Sequence, residues 1–179
     1  MSLRDYAMLM AHYNSWMNER LYAAAASLPA DEAAADKGAF FGSLVGTLNH
    51  IVVADTIWLK RFAAHQPACT ALDPVRALPT PATLRAQWAS DLAALRPHRA
   101  MLDGVISAWA AQLADADADL VLHYTNSVGP NSKRLGAVVL HFFNHQTHHR
   151  GQATTLLSQA GVDPGVTDLL MLIPNEPVA

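Results

Sequence analysis

The sequence is poor in cysteine and in charged side chains. Its 179 residues include one cysteine, Cys69, so the chain can form no internal disulfide and offers no cysteine-rich zinc site. Charged residues make up 15%, with 12 basic against 15 acidic side chains and a formal net charge of -3. Because this balance lacks the basic excess typical of nucleic-acid binding, we expect no nucleic-acid partner.

The chain also lacks a long hydrophobic run. No apolar stretch approaches the roughly 18 residues that a membrane-spanning helix needs, and the first residues do not contain the apolar core of a signal peptide. We therefore expect no membrane partner and a cytoplasmic location. At roughly 100–200 residues per domain, the length predicts a single domain over residues 1–179.

Apolar residues at helical spacing are abundant. Hydrophobic residues make up 51% of the chain, and they form four long helical patterns at about Leu3–Leu28, Ser43–Gln66, Thr80–Leu113 and Leu135–Ala160. Ser43 and Thr80 are the expected N-caps of the second and third helices, and Pro97 predicts a kink or a break in the third. Only residues 120–133 look like strand, as a short hairpin. The sequence predicts an all-α four-helix bundle with a short hairpin before the last long helix.

Histidine is unusually frequent in the last long helix. The chain has nine histidines, of which five lie between His123 and His149. At about 100° per residue, His145 and His149 fall on or beside the apolar side of this helix, whereas His148 and Arg150 point away from it. Two inward imidazoles one turn apart are suitably spaced to bind a single divalent ion.

A third ligand would have to come from another helix. His50 lies in the middle of the second helix, in the most apolar run of the chain, and is the candidate. Three neutral imidazoles with an open position are typical of a catalytic zinc or nickel site. The alternative is that His50 is a hydrogen-bonded core residue and that the pair in the last helix is accidental. The residues alone leave both interpretations open.

Four further residues are candidates for the surroundings of such a site. Asn49, Asp55 and Gln152 can accept or donate hydrogen bonds to ligating imidazoles, and His12 can line the mouth of a pocket. Asp55 diverges from His50 by roughly 140° around the second helix. It would therefore support a ligand on another helix, accept a proton, or pair with an arginine.

Several sequence blocks resemble those of the DinB/YfiT-like metalloenzyme family. In chain order they are Tyr13–Leu21, Leu48–Ile51 followed by Asp55 and Trp58, Asn144–Gln152, and Thr167–Pro174. The resemblance covers nearly the whole chain. It implies a four-helix bundle, often dimeric, in which a divalent metal is bound by His50, His145 and His149.

The resemblance also implies a range of reactions. The family includes transferases that use a low-molecular-weight thiol and a mycothiol-dependent maleylpyruvate isomerase, so the expected activity is that of a metal-dependent hydrolase or thiol transferase. Apolar surface on the second helix adds the expectation of a homodimer. The alternative is a non-catalytic helical bundle that binds a metal or a ligand, with an accessory role in a stress response. An open metal position facing a pocket favours catalysis, and a fourth protein ligand favours a structural role.

Overall fold

The computed structural model describes residues 1–177, which are mostly helical with a small two-stranded sheet. The helices are α1 (Leu3–Ala25), α2 (Ala30–Ala34), α3 (Leu44–His65), α4 (Asp73–Arg76), α5 (Leu92–Gln112) and α6 (Leu135–Gln159), and the strands are β1 (Val121–Asn126) and β2 (Gly129–Arg134). Short 3-10 turns lie at Thr70–Leu72, Asp115–Asp119 and Leu169–Leu172. The domain expected over residues 1–179 includes residues 178 and 179, which lie outside the described residues.

Three of the four long helices begin close to where the sequence predicts. The Ser43 hydroxyl accepts a hydrogen bond from the backbone N–H of Gly46 at 3.0 Å and caps α3. At the start of α1, Ser2 and Asp5 form a capping box in which each side chain accepts from the other residue's backbone N–H. Helix α6 begins at Leu135, directly after the hairpin.

The predicted start of the third long helix at Thr80 is wrong. Helix α5 begins at Leu92, and its N-cap is Asp91, whose carboxylate accepts from the backbone N–H of Ala94 at 2.8 Å. Residues 80–90 form an irregular segment instead. Helix α5 continues through Pro97 without a break, because the proline ring lies on the exposed side and removes only one backbone hydrogen bond near the helix start.

The four long helices pack around one apolar core. Helix α1 contacts α5 and α6, while α3 contacts the same two helices from the other side. Aromatic rings fill the centre, where Phe62 of α3 stacks on Trp109 of α5 with centroids 4.5 Å apart. Helix α6 therefore buries two faces, one against α3 and one against α1. For this reason Arg150, expected to point outward, is only 2% exposed and lies against α1.

The hairpin lies beside α3 and α6. Strands β1 and β2 pair antiparallel from Val121 opposite Arg134 to Asn126 opposite Gly129. The ring of Tyr124 packs edge-on against Trp58 of α3, with centroids 5.2 Å apart. This contact makes the hairpin one wall of a groove that α3 and α6 also line. Within the described residues, no helix combines the length and the apolar character that crossing a bilayer requires.

Candidate metal centre

The side chains of His50, His145 and His149 meet between α3 and α6. Their Nε2 atoms form a triangle with sides of 3.1, 3.2 and 3.4 Å. Three nitrogens held at 2.0–2.1 Å from a tetrahedral cation would lie about 3.3 Å apart. The triangle therefore has the size that a single divalent ion requires.

Hydrogen bonds on the far side of two rings fix where their lone pairs point. Nδ1 of His50 lies 2.9 Å from the carbonyl oxygen of Leu84, and Nδ1 of His149 lies 2.8 Å from Oε1 of Gln152. Since both oxygens only accept, each Nδ1 carries the hydrogen and each Nε2 presents a lone pair. Two lone pairs therefore face each other across 3.2 Å with no proton between them. A cation between the rings would relieve this repulsion, so the donor set fits a divalent metal.

The three imidazoles are neutral near pH 7. Burial lowers the pKa of His50 to about 4, partly opposed by the hydrogen bond to Leu84. Burial, together with the neighbouring imidazoles, lowers the pKa of His145 to about 3. Burial also lowers the pKa of His149, against the effect of Gln152. Neutral imidazole is the form that binds a metal.

Two loops cover the ring of His50. Phe41, in the loop before α3, stacks on this ring with centroids 3.8 Å apart. The second loop carries Leu84, and Asn49 anchors it: the side chain of Asn49 accepts from the backbone N–H of Trp88 at 2.7 Å and donates to the carbonyl of Ala89 at 2.9 Å. Asn49 therefore acts on His50 indirectly, by holding the segment whose Leu84 carbonyl orients the imidazole.

The close approach of Phe41 to α3 depends on Gly46. A Cβ at position 46 would overlap the carbonyl oxygen of Phe41, so we expect Gly46→Ala to push the Phe41 loop away and to lower the free energy of unfolding by about 1–3 kcal/mol. Gly104→Ala in α5 is the matched control, because no atom of the described residues lies within 4 Å of its added Cβ, apart from its chain neighbours and the helix's own backbone. Helix propensity predicts that Gly104→Ala raises the free energy of unfolding by up to about 1 kcal/mol. Urea denaturation measures both, and equal stabilities of the two variants would contradict the prediction.

The structure brings together some of the other candidate residues and separates the rest. Gln152 contacts His149 directly, and its Nε2 also lies 3.3 Å from Nε2 of His148. His12 is an exposed residue of α1. Asp55 has partners away from the imidazoles: its Oδ2 accepts from Arg99 at 2.6 Å and from Gln146 at 2.9 Å. Of the alternatives considered for Asp55, the structure shows the arginine pair.

Asp55 belongs to a buried ionic network that sequence reasoning missed. Nη2 of Arg99 lies 2.9 Å from Oδ1 of Asp103, and Asp103 accepts from the side-chain amides of two residues of α1, Asn14 and Asn18. Arg150 of α6 donates to Oδ1 of Asn14. The network thus joins all four long helices at their centre. Arg99 and Asp103 are four residues apart on α5, a spacing that the sequence does show, whereas the Arg99–Asp55 and Arg150–Asn14 contacts each join two helices and have no signal in the local sequence.

A groove with a volume of about 860 Å³ opens beside His145. Its walls are α3, the hairpin, the irregular segment around Thr80–Leu84, and α6, which contributes His141 and His145. Of the three imidazoles, His145 is the one that lines this groove, and it is partly exposed. A small molecule in the groove would therefore reach the cluster from the His145 side.

Comparisons with known proteins identify relatives of the chain. A sequence model of the DinB family matches residues 1–176. The chain is similar to a protein named Protein DinB of Bacillus subtilis (strain 168), with 25% identity over 167 residues, which cover 93% of this chain and 92% of that protein. No solved structure matches the chain significantly.

Proposed function

This chain belongs to the DinB family, and from that premise we propose that it is a metal-dependent enzyme that acts on a small molecule. The Nε2 atoms of His50, His145 and His149 would bind one divalent cation, zinc or nickel by the preference of imidazole. The observation that carries the proposal is the convergence of these three atoms, two of which present lone pairs with no proton between them.

The chemistry that such a cation supplies is activation of a bound water or thiol. A divalent ion on three imidazoles lowers the pKa of its remaining ligand, so hydroxide or thiolate forms near neutral pH. The chain's own residues prepare for this step. Leu84 and Gln152 hold two imidazoles in the tautomer that binds metal, and burial keeps all three neutral.

The donor set favours catalysis over a purely structural metal site. Among the described residues, the cluster consists of three histidines, with no cysteine or carboxylate as a fourth member. Three protein ligands and a position left for water or substrate are typical of catalytic zinc, whereas structural sites usually have four protein ligands. The groove beside His145 gives that position access from outside.

Other parts of the proposal rest on the sequence. We propose that the four long helices form one bundle domain and that the reaction is hydrolysis or thiol transfer. A homodimer and a cytoplasmic location stay predictions. The non-catalytic alternative, a bundle that only binds a metal or a ligand, is an outcome of the following experiment.

Activity panels on the metal-loaded protein test the proposal. We expect the zinc- or nickel-loaded protein to turn over members of a panel of electrophiles with added thiol, or of a panel of esters and amides. Turnover should disappear in His50→Ala and persist in His148→Ala, because His148 is exposed and lies outside the cluster. Bound metal without turnover on either panel would leave the binding role instead.

A further inference from the structure

The groove beside His145 carries only positive charge. The whole chain has a formal net charge of -3, yet among the described residues that line this groove none is aspartate or glutamate. Lys60 and Arg61 of α3 are its charged members. Since acidic side chains outnumber basic ones elsewhere in the chain, this cleft is the place where an anion would be favoured.

Arg61 is the cation of the groove that has no strong partner. Its guanidinium lies over two adjacent aromatic rings, 4.5 Å from the centroid of Trp58 and 4.4 Å from that of Tyr124. Its one hydrogen bond is long, 3.4 Å from Nη2 to the carbonyl oxygen of Thr125. In the described part of the chain, no carboxylate oxygen lies within 4.0 Å of it.

Lys60 differs from Arg61 in this respect. Its Nζ donates to three carbonyl oxygens, those of Val75, Arg76 and Leu78, at 2.7–3.2 Å. These bonds use all three of its hydrogens, so the ammonium contributes charge without a hydrogen available for a ligand. The guanidinium retains donors, and its planar fork matches a carboxylate.

The position of Arg61 sets the length of a ligand that would reach both ends of the groove. Arg61 lies eleven residues after His50 on α3, which is close to three full turns, so both point to the same side of the helix about 16 Å apart along its axis. Between them the groove follows the rings of Trp58, His141 and His145, with centroid separations of 5.4 Å and 5.8 Å.

We propose that this groove selects elongated anionic substrates, and that Arg61 binds their carboxylate while the reacting end lies at the histidine cluster. The assignment of the reacting end rests on the proposed function. The assignment of the carboxylate rests on the unpaired guanidinium and on the absence of acidic side chains among the described residues of the groove. Arg61 is therefore a specificity-determining residue.

Binding of matched probes to the zinc-loaded protein tests this inference. The probes are 11-mercaptoundecanoate, its neutral analogue 11-mercapto-1-undecanol, and undecanoate, which lacks the thiol. By isothermal titration calorimetry, we expect the mercapto acid to bind about 10-fold or more tightly than the mercapto alcohol, because a hydrogen bond to a charged group contributes that much. The short 3-mercaptopropionate cannot span the groove, so its affinity should not depend on Arg61.

Arg61→Met should abolish the difference between acid and alcohol, and Arg4→Met, at an exposed position in α1, should preserve it. If Arg61 only held the hairpin against α3, Arg61→Met would lower the affinity for the mercapto alcohol as well. If Arg61→Met does not fold, Arg61→Lys provides the test, because it keeps the charge and should retain part of the preference. Equal affinities of acid and alcohol in the unaltered protein would overturn the inference.

The same titrations separate this inference from the proposed function. The gain from the thiol, read from 11-mercaptoundecanoate against undecanoate, should disappear in His149→Ala. The gain from the carboxylate should disappear in Arg61→Met. If the carboxylate increases the affinity and the thiol does not, the result would support the anionic groove and count against activation of a thiol at the cluster.

Discussion

Replacing His149 with alanine is expected to leave the purified protein with almost no bound metal. The substitution removes one of three converging nitrogens, each within 3.4 Å of the other two. Removing a residue that only hydrogen-bonds to a metal-ligating side chain weakens metal binding by roughly 10–100-fold. Removing the ligating side chain itself should weaken metal binding further. Metal analysis after dialysis, with competition against a chelator of known affinity, measures the change.

His148→Ala is the matched control for this result. The two histidines are adjacent on α6, but His149 is only 8% exposed and lies in the cluster, whereas His148 is exposed. The metal affinity of His148→Ala should be within a few-fold of that of the unaltered protein. Loss of metal from the His148 variant with retention in the His149 variant would show that the ligand assignment on α6 is wrong.

Removing the carboxylate of Asp55 is expected to destabilise the protein by about 3–5 kcal/mol, because it leaves the buried Arg99 with one of its two carboxylate partners and the buried Gln146 amide without its acceptor. Asp55 is 1% exposed and Arg99 is 2% exposed. Burial opposes the charged form of Arg99, but the carboxylates of Asp103 and Asp55 outweigh it and raise the pKa of the guanidinium. Because Asp103 still lies 2.9 Å from Arg99, the guanidinium stays charged when Asp55→Ala is made. Urea denaturation measures the loss.

An exposed ion pair provides the comparison. Asp119 binds Arg134 at 2.7 Å, but both side chains are mostly exposed, so Asp119→Ala should cost less than about 1 kcal/mol. If Asp55→Ala does not fold, Asp55→Asn keeps the shape and one hydrogen bond and should be intermediate. A cost for Asp55→Ala no larger than for Asp119→Ala would mean that the network does not stabilise the fold.

Helix positions could be predicted from sequence where one pattern dominates. The apolar spacing in α3 and α6 and the cap at Ser43 gave helix bounds close to those observed. The start of α5 could not be placed, because Thr80 and Asp91 are both good caps and the chain uses the second. What decides between them is tertiary: Asn49 binds the backbone of Trp88 and Ala89, which holds this segment out of the helix.

Some features of the candidate site could likewise be predicted from the sequence, and others could not. The spacing of His145 and His149 predicted an inward pair on α6, but the apolar surroundings of His50 left open whether it joins them, and the family resemblance supplied that assignment. The position of Arg150 was not predictable, because a single apolar stripe describes a helix with one buried face and α6 has two. The Leu84 carbonyl gave no signal at all, since any residue supplies a carbonyl.

All three imidazoles stand on long helices, whereas most of the material around the groove entrance, including residues 80–84 and the hairpin, comes from connecting segments. Connecting segments tolerate insertions and exchanges that helix interiors do not. Sequence changes in these segments would therefore alter the walls of the groove while leaving the histidine cluster in place. Exchanging the hairpin would change the wall that carries Tyr124 and leave Arg61 and the three histidines in place on α3 and α6.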